Sequence, residues 1–409
     1  MRFMFQSRNN VLSFLAFLLV ALLPFQAVAG APADSMAKRL DAVIERAIEE
    51  QRIVGTVVIV ARDGHIVYRK AFGLADRETR RPMRVDALFR LASMSKPLVS
   101  AAALALVDQG LLSLDDPVTQ WLPWFKIRLP DGAPAEITIR QLLTHTAGLS
   151  YGFLQPPGGP LASAGVSDGL DRPGITLDEN LRRLAGVPLE YAPGSAWSYS
   201  LAIDVLGAVV AKAGGGTLPE VIARLVTGPL RMQDTSFLVR RGDRLATPYA
   251  RREGMPHRMG DPEIMPTESS GIHFQPSRAT DPDAYPSGGA GMSGTAGDYI
   301  KFLEAIRLDG GNILKPDTAR AMTANQIGDI VPTLAGEGRG FGFGASVLLD
   351  PQKAKHPGEP GAWSWGGVYG THFFMDRKAG LSVVVLTNTA PDGMAGQFPA
   401  AIDRAVYGK

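Results

Sequence analysis

The sequence contains no cysteine, which excludes disulfides, thiolate nucleophiles and cysteine metal sites. It also carries little net charge: 42 basic side chains stand against 40 acidic ones, with no basic tract and no arginine cluster interleaved with aromatics. Nucleic acid and anionic membrane surfaces are therefore not expected partners. The histidines, His65, His145, His257, His273, His356 and His372, show no metal-ligand spacing such as His-Glu-x-x-His, so no metal is expected. Long hydrophobic runs are scarce as well. The exception, "VLSFLAFLLVALL" from Val11 to Leu23, follows Arg2 and Arg8 and precedes the small residues Ala27, Val28 and Ala29. It is short for a membrane span and reads as an export signal over residues 1–29, with an uncleaved anchor as the alternative. Cleavage after Ala29 takes away two arginines and no acid, leaving 40 charges of each sign on an exported chain, periplasmic or secreted. No stable membrane span is then expected. Nothing in the sequence fixes the oligomeric state.

What is present suffices for a large core: 45% of the residues are apolar, and no internal repeat divides them. After a helical pattern over Asp34–Gln51, "TVVIVAR" and "HIVYRKAF" flank Asp63-Gly64, a pair that tolerates the positive φ of a two-residue hairpin turn. A helix-rich middle section follows, and the proline-rich stretch Arg251–Pro286 reads as a long surface loop. The C-terminal part returns to strands, with "GFGASVLLD", "GVYGTHFFMD" and "LSVVVLTN", and closes on a helix from about Met394. Strands at both ends with helices between them predict an α+β fold: a largely antiparallel sheet flanked by helices, with an inserted helical lobe. The expected bounds are about 34–110 and 290–409 for the sheet lobe and about 111–289 for the helical lobe, within one domain over 30–409.

The chemistry concentrates in "FRLASMSKPLVSAAALALVDQG", Phe89–Gly110. Ser93 and Lys96 are three apart and share a helical face, at the start of an apolar helix. A hydroxyl needs a base to attack a carbonyl, and a lysine serves only if desolvation or a second cation disfavours its charged form. A serine at a helix start also has free backbone N–H groups beside it, which suit an oxyanion. Four letters are weak by themselves, since a capping serine with a snorkelling lysine gives the same pattern. A second element, "PGSAWSYSLAIDVLG", places Tyr199 before another apolar helix, as a core tyrosine or as a phenol beside an ammonium that takes the serine proton. In the third, "WSWGGVYGTHFFMD", Trp365-Gly366-Gly367 opens a strand, and the glycines permit close approach of a substrate to the backbone, or mark a bulge.

These elements, together with "QLLTHTAGLSYGF", "PLRMQDTSF" and "SGGAGMSGTAGDYIKF", resemble the serine β-lactamase and penicillin-binding-protein superfamily, and most the class C β-lactamase-like family VIII carboxylesterases. The resemblance covers nearly the whole chain after the leader. It implies an active site between sheet and helical lobe, Ser93 as the acylated nucleophile, Lys96 tuning proton transfer, Tyr199 as base or shuttle, and the N–H groups of Ser93 and Val368 as the oxyanion hole. It implies no cofactor. Two departures matter. Where class C β-lactamases carry Tyr-x-Asn, this chain has Tyr199-Ser200-Leu201, and where they carry Lys-Thr-Gly it has Trp365-Gly366-Gly367; Lys378-Ala379-Gly380 lies in an expected hairpin turn. The loss of that cation removes a contact worth a few kcal/mol, on the order of magnitude of charge-assisted hydrogen bonds, to the carboxylate of penicillins. With Trp365, Gly366, Gly367 and Leu201 as substrate-binding positions, the pattern points to a serine hydrolase of short or medium acyl esters. The alternatives are β-lactam or D-Ala-D-Ala amide cleavage, acyl transfer, or a silent binding protein, all on small-molecule ligands. "GVSDG", Gly165–Gly169, matches the nucleophile elbow of another hydrolase class, but loop composition on both sides argues against Ser167. His145 reads as structural. His372 lines the groove or faces solvent, and Trp363 and Trp365 form an apolar wall or pack in the core.

Overall fold

The computed structural model describes residues 31–171 and 174–409, so the expected signal at 1–29 lies outside the described residues. Its centre is an eight-stranded antiparallel sheet made from both ends of the chain. In spatial order the strands are Arg339–Phe341, Ser346–Leu348, Trp363–Gly367, Thr371–Asp376, Leu381–Thr387, Gly55–Arg62, His65–Asp76 and Arg81–Pro82. Gly55–Arg62 and Leu381–Thr387 lie in the middle of this order, with Val58 opposite Val385 and Ile59 opposite Val384. Both strands are almost continuously apolar because both of their faces are covered. The Asp63-Gly64 turn has φ values of 50° and 85°, the left-handed pair expected of its residues.

Alternation along those strands sends side chains into two cores. Val58, Val60, Val383 and Val385 pack with Leu40 and Ile44 of the helix Ala31–Glu49 and Ile402 of the helix Gln397–Tyr407. Val57, Ile59, Val384 and Leu386 pack on the other side, in a larger core that includes the helix Ser95–Asp108. That helix is buried from Ser95 to Leu106, so its apolar residues run around most of its circumference rather than along a stripe. Against it lies the helix Ala202–Ala213, with the helix Ile139–Thr144 alongside. Among the described residues, no single helix is long and apolar enough to cross a membrane.

Three expectations need correction. Arg251–Pro286 is not one loop. It forms two hairpins, Tyr249–Arg252 with Met255–Arg258 and Glu263–Pro266 with Gly271–Phe274, followed by a short 3-10 turn at Pro276–Thr280. Proline content concealed them, yet Pro256 sits on the edge strand of a three-stranded sheet and Pro266 in a two-stranded ribbon, where a missing N–H is tolerated. Trp365-Gly366-Gly367 closes a strand rather than opening one: the chain reverses over Val368–Gly370, and Thr371–Asp376 runs back with Gly367 opposite Thr371. "GFGASVLLD" likewise turns through Gly342–Ala345 before the strand Ser346–Leu348.

Candidate active site

The geometry begins at Leu91. Phe89–Arg90 pairs with Ser293–Gly294, the Leu91 N–H donates to Met292 O at 2.9 Å, and Leu91 O accepts from Thr371 Oγ1 at 3.3 Å. Gly367 presses on the same carbonyl so closely that a Cβ there would lie 2.1 Å from Leu91 O. Ala92 then adopts φ 44°, a left-handed conformation that costs a non-glycine residue on the order of 1–2 kcal/mol. This pinned kink feeds a 3-10 turn, Ala92–Met94, which presents Ser93 half-buried just ahead of the helix Ser95–Asp108. The Ser93 and Val368 amides form no hydrogen bond to other described backbone groups. Ser93 and Val368 line the same groove.

Two side chains converge on the Ser93 hydroxyl. The Tyr199 hydroxyl shares a 2.6 Å hydrogen bond with Ser93 Oγ, and Lys96 Nζ donates to the same oxygen at 3.2 Å. Lys96 is fully buried. Its charge is met by Gly289 O at 2.9 Å and by the faces of Tyr199 and Tyr151, whose centroids lie 4.5 and 5.3 Å from Nζ. Gly289 has to lack a side chain, since a Cβ would lie 2.4 Å from Asp204 Oδ2. Tyr199 is fixed by an aromatic cage: the Tyr151, Trp365 and His145 centroids are 5.1, 5.4 and 4.9 Å away, and Trp365 Nε1 donates to its hydroxyl at 3.4 Å.

Buried ionisable groups surround this centre. Burial pushes the Asp204 carboxyl up against the opposing pull of the Ser287 hydroxyl, 2.6 Å away, and of Lys96. Burial likewise raises Asp168 to about 7 although it accepts from the Gly152 and Phe153 N–H groups at 2.8 and 3.1 Å. Burial, and secondarily the charge of Lys96, holds His145 well below its ordinary value, and burial lowers His372. These groups lie in or beside a groove of about 540 Å³, lined near Ser93 by Tyr151, Phe153, Leu170, Ile272, Trp365 and Val368. No cluster of three or more metal-ligating side chains occurs among the described residues.

Of the positions expected to bind substrate, Trp365 and Gly366 line the groove, whereas Gly367 supports the Leu91 turn. Leu201 is a correction. It is wholly buried in the main core, at the entry to the helix Ala202–Ala213, and does not touch the groove. Trp363 is wholly buried against Phe373, so Trp365 alone of the pair forms a wall. Ser167 has no histidine beside it: it bonds Asp171 and, at 2.9 Å, Tyr285 in a buried polar knot. His372 is buried and lines the groove, with Nδ1 on Gly393 O at 2.9 Å. Lys378 stays in its turn and pairs with Glu359 at 2.8 Å. Sequence reasoning missed Tyr151, Asp168 and Gly289. Tyr151 and Gly289 lie inside the quoted phrases "LSYGF" and "SGGAGMSG", but nothing local says that they meet Lys96.

Residues 40–406 match the family described as Beta-lactamase. The chain is 50% identical over 381 residues to Esterase EstB of Burkholderia gladioli, covering 92% of this chain and 96% of that protein. It is 29% identical to Monacolin J acid methylbutanoyltransferase of Aspergillus terreus, over 90% of this chain and 95% of the other. Among solved structures, EstCE1, described as a hydrolase with promiscuous acyltransferase activity, superposes with a TM-score of 0.90 at 45% identity, over 92% of this chain and 99% of its own.

Proposed function

The chain belongs to the beta-lactamase family, and from that premise we propose that it is a serine carboxylesterase working through an acyl-enzyme on Ser93. The carrying observation is the convergence of Tyr199 at 2.6 Å and Lys96 at 3.2 Å on one hydroxyl oxygen. Acting as the phenolate opposite the Lys96 ammonium, Tyr199 takes the Ser93 proton along their hydrogen bond while Ser93 Oγ forms a bond to the ester carbonyl carbon. Lys96 stabilises the negative charge that builds on Oγ. The carbonyl oxygen takes up the charge between the Ser93 and Val368 N–H groups. Collapse breaks the bond to the alcohol oxygen, and Tyr199 returns the proton to that oxygen. Water enters by the reverse path, gives its proton to Tyr199, and releases the acid and a neutral Ser93.

Ester preference over β-lactams is supported by Trp365, an apolar side chain where class C β-lactamases hold a lysine, and by the apolar walls Phe153, Leu170 and Ile272. Short and medium acyl chains suit that volume. Acyl transfer to an alcohol is the second reading: the same acyl-enzyme accepts either nucleophile, and the names of two relatives include such transfer. We also propose that the protein is exported and cleaved after Ala29, which the mass of the mature protein tests.

The decisive experiment is hydrolysis of short-chain p-nitrophenyl esters. Ser93→Ala is expected to abolish it at unchanged fold, and activity surviving that change would falsify the assignment. Nitrocefin turnover exceeding ester turnover would move the activity to the β-lactamase branch.

A further inference from the structure

The groove that holds Ser93 also contains charged side chains that acyl transfer does not use. Arg339, Ser346, Ser364, His356, His372 and Asp403 all line it. Arg339 is unlike the protein's other largely buried arginines. Arg90 donates to Pro276 O and Ala246 O, Arg278 to Asp171 O and Tyr285 O, and Arg377 to Arg307 O and Ile306 O. Arg339 uses only Nη1, on Ser364 Oγ at 3.0 Å and more weakly on Ser346 Oγ at 3.5 Å. Those serines face each other across neighbouring strands and fix the guanidinium plane. Its Nε and Nη2, three N–H donors in a fork, have no acceptor among the described residues, and no carboxylate there lies within ion-pair distance. Burial pushes its pKa down, and the charge of Asp403, beyond ion-pair distance, opposes that fall.

The acid of this region is engaged elsewhere. Asp403 Oδ2 lies 3.2 Å from His356 Nε2, and the Gly358 N–H donates to His356 Nδ1 at 3.0 Å, which leaves the imidazole proton on Nε2, facing the carboxylate. Two acceptors remain without partners, Asp403 Oδ1 and His372 Nε2. A half-buried guanidinium fork that opens on a groove matches a carboxylate bidentately.

We propose that Arg339 is a subsite for a carboxylate carried by the substrate, so that the preferred esters are half-esters of dicarboxylic acids or esters of hydroxy acids, with the anion seated on Nε and Nη2. The inference rests on the esterase reading above and refines it. The groove has an apolar residue in place of a cation beside the reacting carbonyl, but it keeps a cation further along. Asp403 sets an upper limit of one negative charge, because a second would face its carboxylate.

The test compares p-nitrophenyl half-esters of dicarboxylic acids of increasing length with the same compounds capped as methyl esters. KM for a carboxylate-terminated substrate of matching length is expected to be about tenfold below that of its capped analogue. Arg339→Met should erase that difference while leaving the capped esters within about twofold, and Asp403→Asn should lower KM for the anionic esters further. Equal KM for the two series, a preference for ω-amino esters, or an Arg339→Met change that slows both series alike would overturn the subsite. Binding of monomethyl adipate to Ser93→Ala, read by calorimetry, measures it without turnover, so absent ester hydrolysis and an absent subsite are told apart. Affinity there must fall about tenfold in Ser93→Ala/Arg339→Met.

Discussion

At the scale of single residues, the site is set by what touches the Ser93 oxygen and by what holds the turn beneath it. Tyr199→Phe keeps the aromatic cage and removes only the hydroxyl 2.6 Å from Oγ. Loss of a general base costs about 10²–10⁴-fold, so kcat on p-nitrophenyl butyrate should fall in that range with KM within a few-fold, as stopped-time assays will read. Gly367→Ala acts without touching substrate. Its new methyl would sit 2.1 Å from Leu91 O, forcing the carbonyl that fixes the Ser93 turn to shift. Misplacement by about 1 Å costs roughly a hundredfold in such sites, so kcat/KM should drop on that order. A crystal structure of the variant should show Leu91 moved, and an unmoved Leu91 with full activity would contradict the pinning.

At the scale of elements, one wall of the groove is a composite of two segments. Phe153 stacks on Tyr151 at 4.7 Å, is held through its N–H by Asp168, and receives on its carbonyl the Thr267 hydroxyl from the hairpin 263–274. Phe153→Ala removes one wall of the acyl space. The optimum in a panel of acyl chain lengths should then move to longer chains, with about a tenfold relative gain in kcat/KM. The elements that carry Ser93, Lys96 and Tyr199 were legible because helix starts and apolar periodicity are local properties. Asp63-Gly64 revealed its hairpin for the same reason. The hairpins inside 249–274 were not legible, since short half-exposed strands with prolines have the composition of loops. Nor was the fate of Leu201: one position after the Tyr199-Ser200 pair, a side chain enters either groove or core according to how the helix Ala202–Ala213 docks, and no neighbour in sequence sets that. Arg339 carried no sequence signal at all, because its meaning lies in the acceptors that three distant segments fail to supply.

At the scale of the whole molecule, buried titratable groups shape stability against pH. Asp168, raised to about 7 by burial, binds a proton more readily folded than unfolded between about pH 4 and 7. Its contribution is therefore fully present below its unfolded value and declines as pH rises towards 7. His145 and His372 are lowered, chiefly by burial, so they work in the other direction and favour folding increasingly as pH rises towards 6.5. In Asp168→Asn the declining part is gone. The melting temperature of the variant minus that of the parent should rise steadily from pH 4 to 7 and level off above, and a flat difference would mean that Asp168 is ionised throughout. The sheet has a consequence of another kind. Its middle is a join between the residues numbered 55–62 and those numbered 381–387, and Leu91 is tied to both Met292 and Thr371. A ribosome that has delivered three quarters of this polypeptide has delivered neither the second neighbour of its first strand nor Gly367 and Thr371, which hold the Leu91 carbonyl beneath the nucleophile. The nucleophile's turn is thus complete only once the strands beyond residue 363 have joined the sheet.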